Sequence, residues 1–171
     1  MVHPSGSSRN SILGALGLGA IALLLFFFSP SSPFQTAGVL PERPLPVLSG
    51  GAEVSLSRCP TEKCLTVYVA PWCGYCRAST GAVNALKEYL RERNVSTRIV
   101  VGLDKEVNLR DYAREFGPET ILDAKGAVTV QGGVPHFYIS DRSGRVLREL
   151  AGVPQDAITD VAQFAAYFGL P

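Results

Sequence analysis

The chain has 171 residues, 46% of them hydrophobic, with 16 Lys and Arg against 15 Asp and Glu and a formal net charge of +1. That length fits one domain of about 100–150 residues plus additional segments. No long run of one charge sign is present, so the clustered basic face that a nucleic-acid-binding domain needs is missing. Four cysteines in two close pairs are too few to build a disulfide scaffold, but they suit one redox pair and one further pair.

Ser11 to Phe28 is an uninterrupted uncharged run of 18 residues, preceded by Arg9 and followed by Ser29-Pro30-Ser31-Ser32-Pro33. A membrane anchor needs about 17–25 apolar residues, and this run meets that length. A cleaved secretory signal would have an apolar region of about 7–15 residues and a small-residue cleavage site. Gln35-Thr36-Ala37 is a poor match to such a site. The expectation is therefore a cytoplasmic segment over residues 1–10 and a single-pass anchor over residues 11–28. The positive charge before the run places the rest on the extracytoplasmic, periplasmic side. Secretion after signal cleavage is the alternative. Either way the cysteines lie in an oxidising compartment. Residues 29–50 carry five prolines with Ser and Gly and read as a semi-rigid linker. The folded domain is expected over residues 51–171.

Within it, Glu53 to Ser57 alternates as a short strand, and Cys59 to Cys64 forms a turn. Leu65 to Ala70 is a continuous apolar run, the pattern of a buried strand. Ala70-Pro71-Trp72-Cys73-Gly74-Tyr75-Cys76 follows, and then a helical stretch to about Arg93. Val83, Leu86 and Leu90 share one face of that helix, and Asn94 is a stop signal. Thr97 to Val101 is a β-branched strand, and Asp104 can cap a helix from Lys105 to Phe116, closed by Gly117-Pro118. A turn over Asp123 to Gly126, a short strand over Ala127 to Val130 and a break at Gly132-Gly133 are expected next. Val134-Pro135 leads into a strand over His136 to Ser140. A turn at Asp141-Arg142-Ser143-Gly144 precedes a return strand over Arg145 to Ala151. A final helix starts near Pro154 and aligns Ile158, Val161, Ala162, Ala165 and Phe168. This order gives an α/β domain with a mixed sheet.

Two cysteines separated by two residues at a strand-to-helix junction carry a redox mechanism. Helix N-terminal N–H groups point at the first sulfur and favour its thiolate, and the second sulfur lies one turn on. The motif Trp72-Cys73-Gly74-Tyr75-Cys76 after a buried strand, together with Val134-Pro135 opening a hairpin, resembles the thioredoxin superfamily over most of residues 51–170. The resemblance implies a thioredoxin-like fold, a mixed central sheet flanked by helices. It also implies a cis-proline at Pro135 beside the cysteines. Two departures stand out. Val67 occupies the place where thioredoxins carry a buried Asp, and residues 117–133 form a longer connection than is usual there.

On this reading Cys73 is the nucleophile and Cys76 the resolving thiol. Trp72, Tyr75, Val134 and Pro135 form the substrate-binding surface, with the backbone at Val134 open to pair with an extended peptide. Arg77 is an ordinary solvated helix charge before it is a partner of the thiolate, and strand alternation aims His136 away from the sulfurs. Cys59 and Cys64 enclose a loop small enough for a structural disulfide. A second redox pair and a metal site are the other readings of these two. About 20 Å of extended strand separates them from Cys73, which argues against relay. No cofactor and no metal are required. The expected partners are protein thiols and disulfides, a membrane-embedded or soluble redox partner, and the membrane through residues 11–28. The expected function is an extracytoplasmic thiol–disulfide oxidoreductase acting as a reductase rather than an isomerase or oxidase. A non-catalytic thioredoxin-like binding or assembly module is the alternative.

Overall fold

The computed structural model describes residues 38–153 and 159–171. The expected anchor over 11–28, the first part of the expected linker and residues 154–158 of the expected final helix lie outside the described residues. Among the described residues no helix is long and apolar enough to cross a membrane.

Among the described residues seven strands and three helices follow in order: β1 (Leu45–Pro46), β2 (Glu53–Val54), β3 (Lys63–Val69), α1 (Gly74–Arg91), β4 (Ser96–Gly102), α2 (Glu106–Ala113), β5 (Ile121–Asp123), β6 (His136–Asp141), β7 (Val146–Ala151) and α3 (Val161–Tyr167). Strands β3 to β7 form one sheet in the order β5-β4-β3-β6-β7. β3, β4 and β5 run parallel, and β6 and β7 are added antiparallel. β3 is paired on both edges and buried on both faces, which is why its sequence is a continuous apolar run rather than an alternation.

The chain steps from β3 to β4 to β5 in one direction across the sheet. Right-handed crossovers then place α1 and α2 on the same face. Leu65, Val67 and Val69 of β3 face that side, in one cluster with Val83, Leu86 and Leu90 of α1, Leu109 and Tyr112 of α2, and Phe164 and Phe168 at α3. Phe137 of β6 stacks on Phe168 at 4.8 Å and meets Phe164 edge-on at 5.9 Å, which seats α3.

The opposite face departs from a sheet flanked by helices. Among the described residues it is covered by loops and the short strand β1: Leu40, Leu45, Leu56 and Val128 pack on Tyr68, Val100, Tyr138 and Val146. Residues 38–50 are therefore part of the domain and not a free linker. Val39 bridges to Arg145, β1 pairs with β2, and Val47 bridges to Ile121 at the sheet edge. Apolar residues at 40, 45 and 47, all buried, supply the reason. The expected strand over Ala127–Val130 does not form. The strand of this region is β5, which ends before the expected one begins, and Asp123 at its end accepts from the N–H groups of Ala127 (2.7 Å) and Val128 (3.0 Å). That carboxylate turns the chain where a strand pattern alone would extend it. The final helix begins at Val161, capped by the Asp160 side chain on the N–H of Ala162 and Gln163. Asn94 does end the α1 turn in the left-handed region, φ +56°.

Candidate redox site

β3 delivers the chain to Ala70-Pro71-Trp72, and the next residue, Cys73, is the N-cap of α1. Its backbone is extended (φ −79°, ψ 105°), and its sulfur accepts from the Cys76 N–H at 3.0 Å. A sulfur thus occupies the place that a Ser or Asp oxygen takes in an ordinary cap. An anionic sulfur there gains both that hydrogen bond and the field of the helix. No acidic residue lies in the first turn to oppose it. Cys73 and Cys76 are joined by a disulfide with Cα atoms 5.2 Å apart. Cys73 keeps 6% of its surface exposed and Cys76 none, so the first residue of the pair is the less buried.

The Val134–Pro135 peptide bond is cis, and the Val134 carbonyl oxygen lies 3.4 Å from Cys73 Sγ. The structure therefore brings together Cys73, Cys76, Val134 and Pro135, which are about 60 residues apart in the chain. Pro135 is itself held by the end of β7, where the Gly152 N–H donates to its carbonyl at 2.7 Å.

Trp72 projects from the site at 63% exposure, and its indole N–H donates to the Leu103 carbonyl at 2.8 Å. Tyr75 is half-exposed, and its hydroxyl donates to the Val153 carbonyl at 3.0 Å. Both rings are thus tied to neighbouring loops. Sequence reasoning missed Leu103 and Val153, because each contributes a main-chain carbonyl that no side-chain pattern announces. Leu103 adopts φ +60°, an unusual conformation for a branched residue, and is 45% exposed. With Trp72, Tyr75 and Val107 it makes up four of the five exposed large apolar side chains among the described residues.

Arg77 does not serve the sulfurs. It donates to the Pro71 carbonyl (2.7 Å), lies 3.7 Å from Glu115 and sits over the Tyr112 ring at 4.9 Å. His136 faces the far side of the sheet, buried and stacked on Tyr138. Burial pushes its pKa down, against the Gly133 carbonyl and Glu149, which favour its charged form. Val67 lies fully buried in the same apolar cluster as both cysteines, so this position offers no carboxylate to accept the proton of Cys76.

Cys59 and Cys64 form a second disulfide, with Cα atoms 5.7 Å apart. Cys64 opens β3 at the end opposite Cys73 and is fully buried, while Cys59 donates its N–H to the Arg142 carbonyl. Beside them the Arg98 guanidinium is buried against neutral oxygens. It donates to Thr66 Oγ1, to the carbonyls of Leu56 and Arg58, and to Ser140 Oγ, and burial lowers its pKa to about 10.

No protein-family model matches the chain, and no curated protein matches it in sequence. Solved structures do. A protein from Chlorobium tepidum described as a thiol:disulfide interchange protein DsbE superimposes with a TM-score of 0.62 and 22% identity, over 78% of this chain and 96% of that one. The thioredoxin domain of a thiol-disulfide oxidoreductase from Bacteroides vulgatus matches with a TM-score of 0.57 and 19% identity, over 76% and 97%. A secreted disulfide oxidoreductase of Mycobacterium tuberculosis, homologous to E. coli DsbE, matches with a TM-score of 0.54 and 16% identity, over 73% and 96%.

Proposed function

From its thioredoxin-like fold, we propose that this chain is a thiol–disulfide oxidoreductase that exchanges disulfides with protein substrates through Cys73 and Cys76. The observation that carries this reading is the placement of Cys73. Its sulfur caps α1 and accepts from the Cys76 N–H at 3.0 Å, and Cys73 is the less buried residue of the pair. The solved structures of the same fold that are described as interchange proteins or oxidoreductases point the same way.

In the reducing direction, the Cys73 thiolate attacks one sulfur of a substrate disulfide. A mixed disulfide forms and the other substrate sulfur leaves as a thiolate. The Cys76 thiolate then attacks Cys73 Sγ, closes the Cys73–Cys76 disulfide and releases the second substrate thiolate. Two electrons pass to the substrate, and a redox partner, membrane-embedded or soluble, must return two electrons to the pair. Trp72 and Tyr75 supply apolar contact surface, and the Val134 backbone supplies an edge for an extended peptide. Residues 11–28 tether the domain on the extracytoplasmic side, or are removed as a signal on secretion. Cys59–Cys64 is the structural disulfide, consistent with its buried position and with an oxidising compartment.

Insulin reduction by dithiothreitol tests the activity. Acceleration by the wild-type chain and none by Cys73→Ser is the expected result, and equal rates for the two proteins would overturn the mechanism. A Cys73–Cys76 potential near about −270 mV fits a reductant, whereas one near about −120 mV would reverse the assigned direction.

A further inference from the structure

The loop that presents Val134 to Cys73 contains Gly132 and Gly133, with φ +78° and +110°. Neither carries a side chain to fix it, so the position of the Val134 edge must be set from outside the loop. One side is held by the bond from Gly152 N–H to the Pro135 carbonyl. On the other side, His136 Nδ1 lies 3.2 Å from the Gly133 carbonyl oxygen. A carbonyl only accepts, so this bond requires the proton on Nδ1.

The ring is well placed to hold such a bond. It is 2% exposed, stacks on Tyr138 at 4.5 Å and 25°, and sits in register between Tyr68 on β3 and Ala151 on β7. Its other nitrogen, Nε2, is buried; among the described residues it makes no hydrogen bond, and an oxygen of Glu149 faces it at 3.7 Å. A phenyl ring would fill the same stack without burying an unpaired nitrogen. What histidine adds over such a ring is the Nδ1 donor and the longer contact of Nε2 with Glu149, and only the donor reaches the Val134 loop.

We propose that His136 is a positioning residue of the exchange site, whose Nδ1–H holds the Gly133 carbonyl and thereby fixes the Val134 edge on which an extended substrate peptide pairs. The ring acts through the loop and touches neither sulfur nor substrate. The proposal deepens the oxidoreductase reading and rests on it for its kinetic consequence, while its structural consequence stands apart from activity.

Two substitutions separate the roles of the ring. His136→Phe keeps the stack and removes the donor. His136→Asn places an amide N–H close to the position of Nδ1. With insulin as substrate, His136→Phe is expected to raise KM roughly five- to tenfold, the worth of about one hydrogen bond. The Cys73–Cys76 potential stays unchanged, and His136→Asn restores most of the loss. A KM at the wild-type value in His136→Phe, or an equal defect in both variants, overturns the proposal. So does a lowered thermal midpoint with unchanged KM, which is the signature of a stacking role alone.

The second readout needs no turnover. Backbone 15N relaxation should show the Gly132, Gly133 and Val134 amides near rigid order parameters of about 0.85 in the wild type and His136→Asn. In His136→Phe they should fall toward about 0.6. If His136→Phe does not fold, the ring 15N shifts of the wild type decide: a proton on Nδ1 supports the assignment and a proton on Nε2 alone overturns it. If wild-type and Cys73→Ser proteins are equally inactive on insulin, the oxidoreductase reading fails, and the relaxation and ring-shift results still judge the Gly133 bond.

Discussion

The two disulfides lie at opposite ends of one strand, and the elements around them differ in ways that govern exchange. Cys73 follows β3, caps a helix of 18 residues and lies beside the backbone of a second loop. Cys64 is inside β3, paired to β4 and β6 at once, and its partner Cys59 is 7% exposed in a tight turn with no helix behind it. Residue burial hardly separates the two pairs, because Cys73 is 6% exposed and Cys59 7%. What separates them is the supply of N–H donors to a developing thiolate and an edge where substrate can lie. Spacing in the sequence is therefore a weaker guide to reactivity than the element that follows the first cysteine.

The largest expected effect tests that contrast directly. Cys73→Ser should abolish insulin reduction, a loss of at least about a thousandfold, because without its thiolate no mixed disulfide forms. Replacing Cys59 and Cys64 together by serine should leave the rate within about twofold. Comparable losses in both proteins would make Cys59–Cys64 a participant and erase the distinction drawn here.

Next in size is the polar support at the Cys64 end. Arg98→Ala strands Thr66, Ser140 and two carbonyls that the guanidinium now satisfies inside the sheet. Each buried unsatisfied group costs roughly 1–3 kcal/mol, with some relief from water entering the space. A loss of roughly 3 kcal/mol in urea unfolding is expected, with the Cys73–Cys76 potential unmoved. A shift of that potential would mean that the two ends of β3 are coupled. The Cys59→Ser, Cys64→Ser double variant should lose somewhat less, about 2 kcal/mol, from the loop entropy released in the unfolded chain. Unchanged stability would remove the structural role assigned to that disulfide.

Much of this arrangement was legible in the chain. β3 read as a buried strand because both its faces are covered, and the seam Val83, Leu86, Leu90 marked the face of α1 that meets it. The pairing of Cys73 with the Val134–Pro135 loop was legible only through resemblance, since nothing in residue spacing reports which loops meet across a sheet. Three features were not legible. β5 is too short to show a period, and it is defined by its register with β4. Residues 38–50 looked like a linker because three prolines interrupt their apolar residues, and the burial of Leu40, Leu45 and Val47 depends on the face they meet. The helices gather on one side because the strands advance in one direction, and that order is a property of topology.

The smallest expected effect concerns Tyr75, which stands between Cys73 and Cys76. Its hydroxyl reaches the Val153 carbonyl at 3.0 Å, beyond the end of β7, while the adjacent Gly152 N–H holds the Pro135 carbonyl. The loop after β7 thus bonds both halves of the site, the helix start and the hairpin start. Tyr75→Phe removes one of these bonds at a half-exposed position, where water can replace it, so its cost should be about 0.5 kcal/mol. Trp72 is the only tryptophan in the chain and neighbours Cys73, so its fluorescence reports on this region alone. The expected outcome is a slightly lowered unfolding midpoint, a small change in Trp72 emission and insulin reduction within about threefold of wild type. A tenfold or larger loss of activity would mean that the Tyr75 hydroxyl meets the substrate, and that the substrate-facing surface extends from the Val134 edge across the helix start.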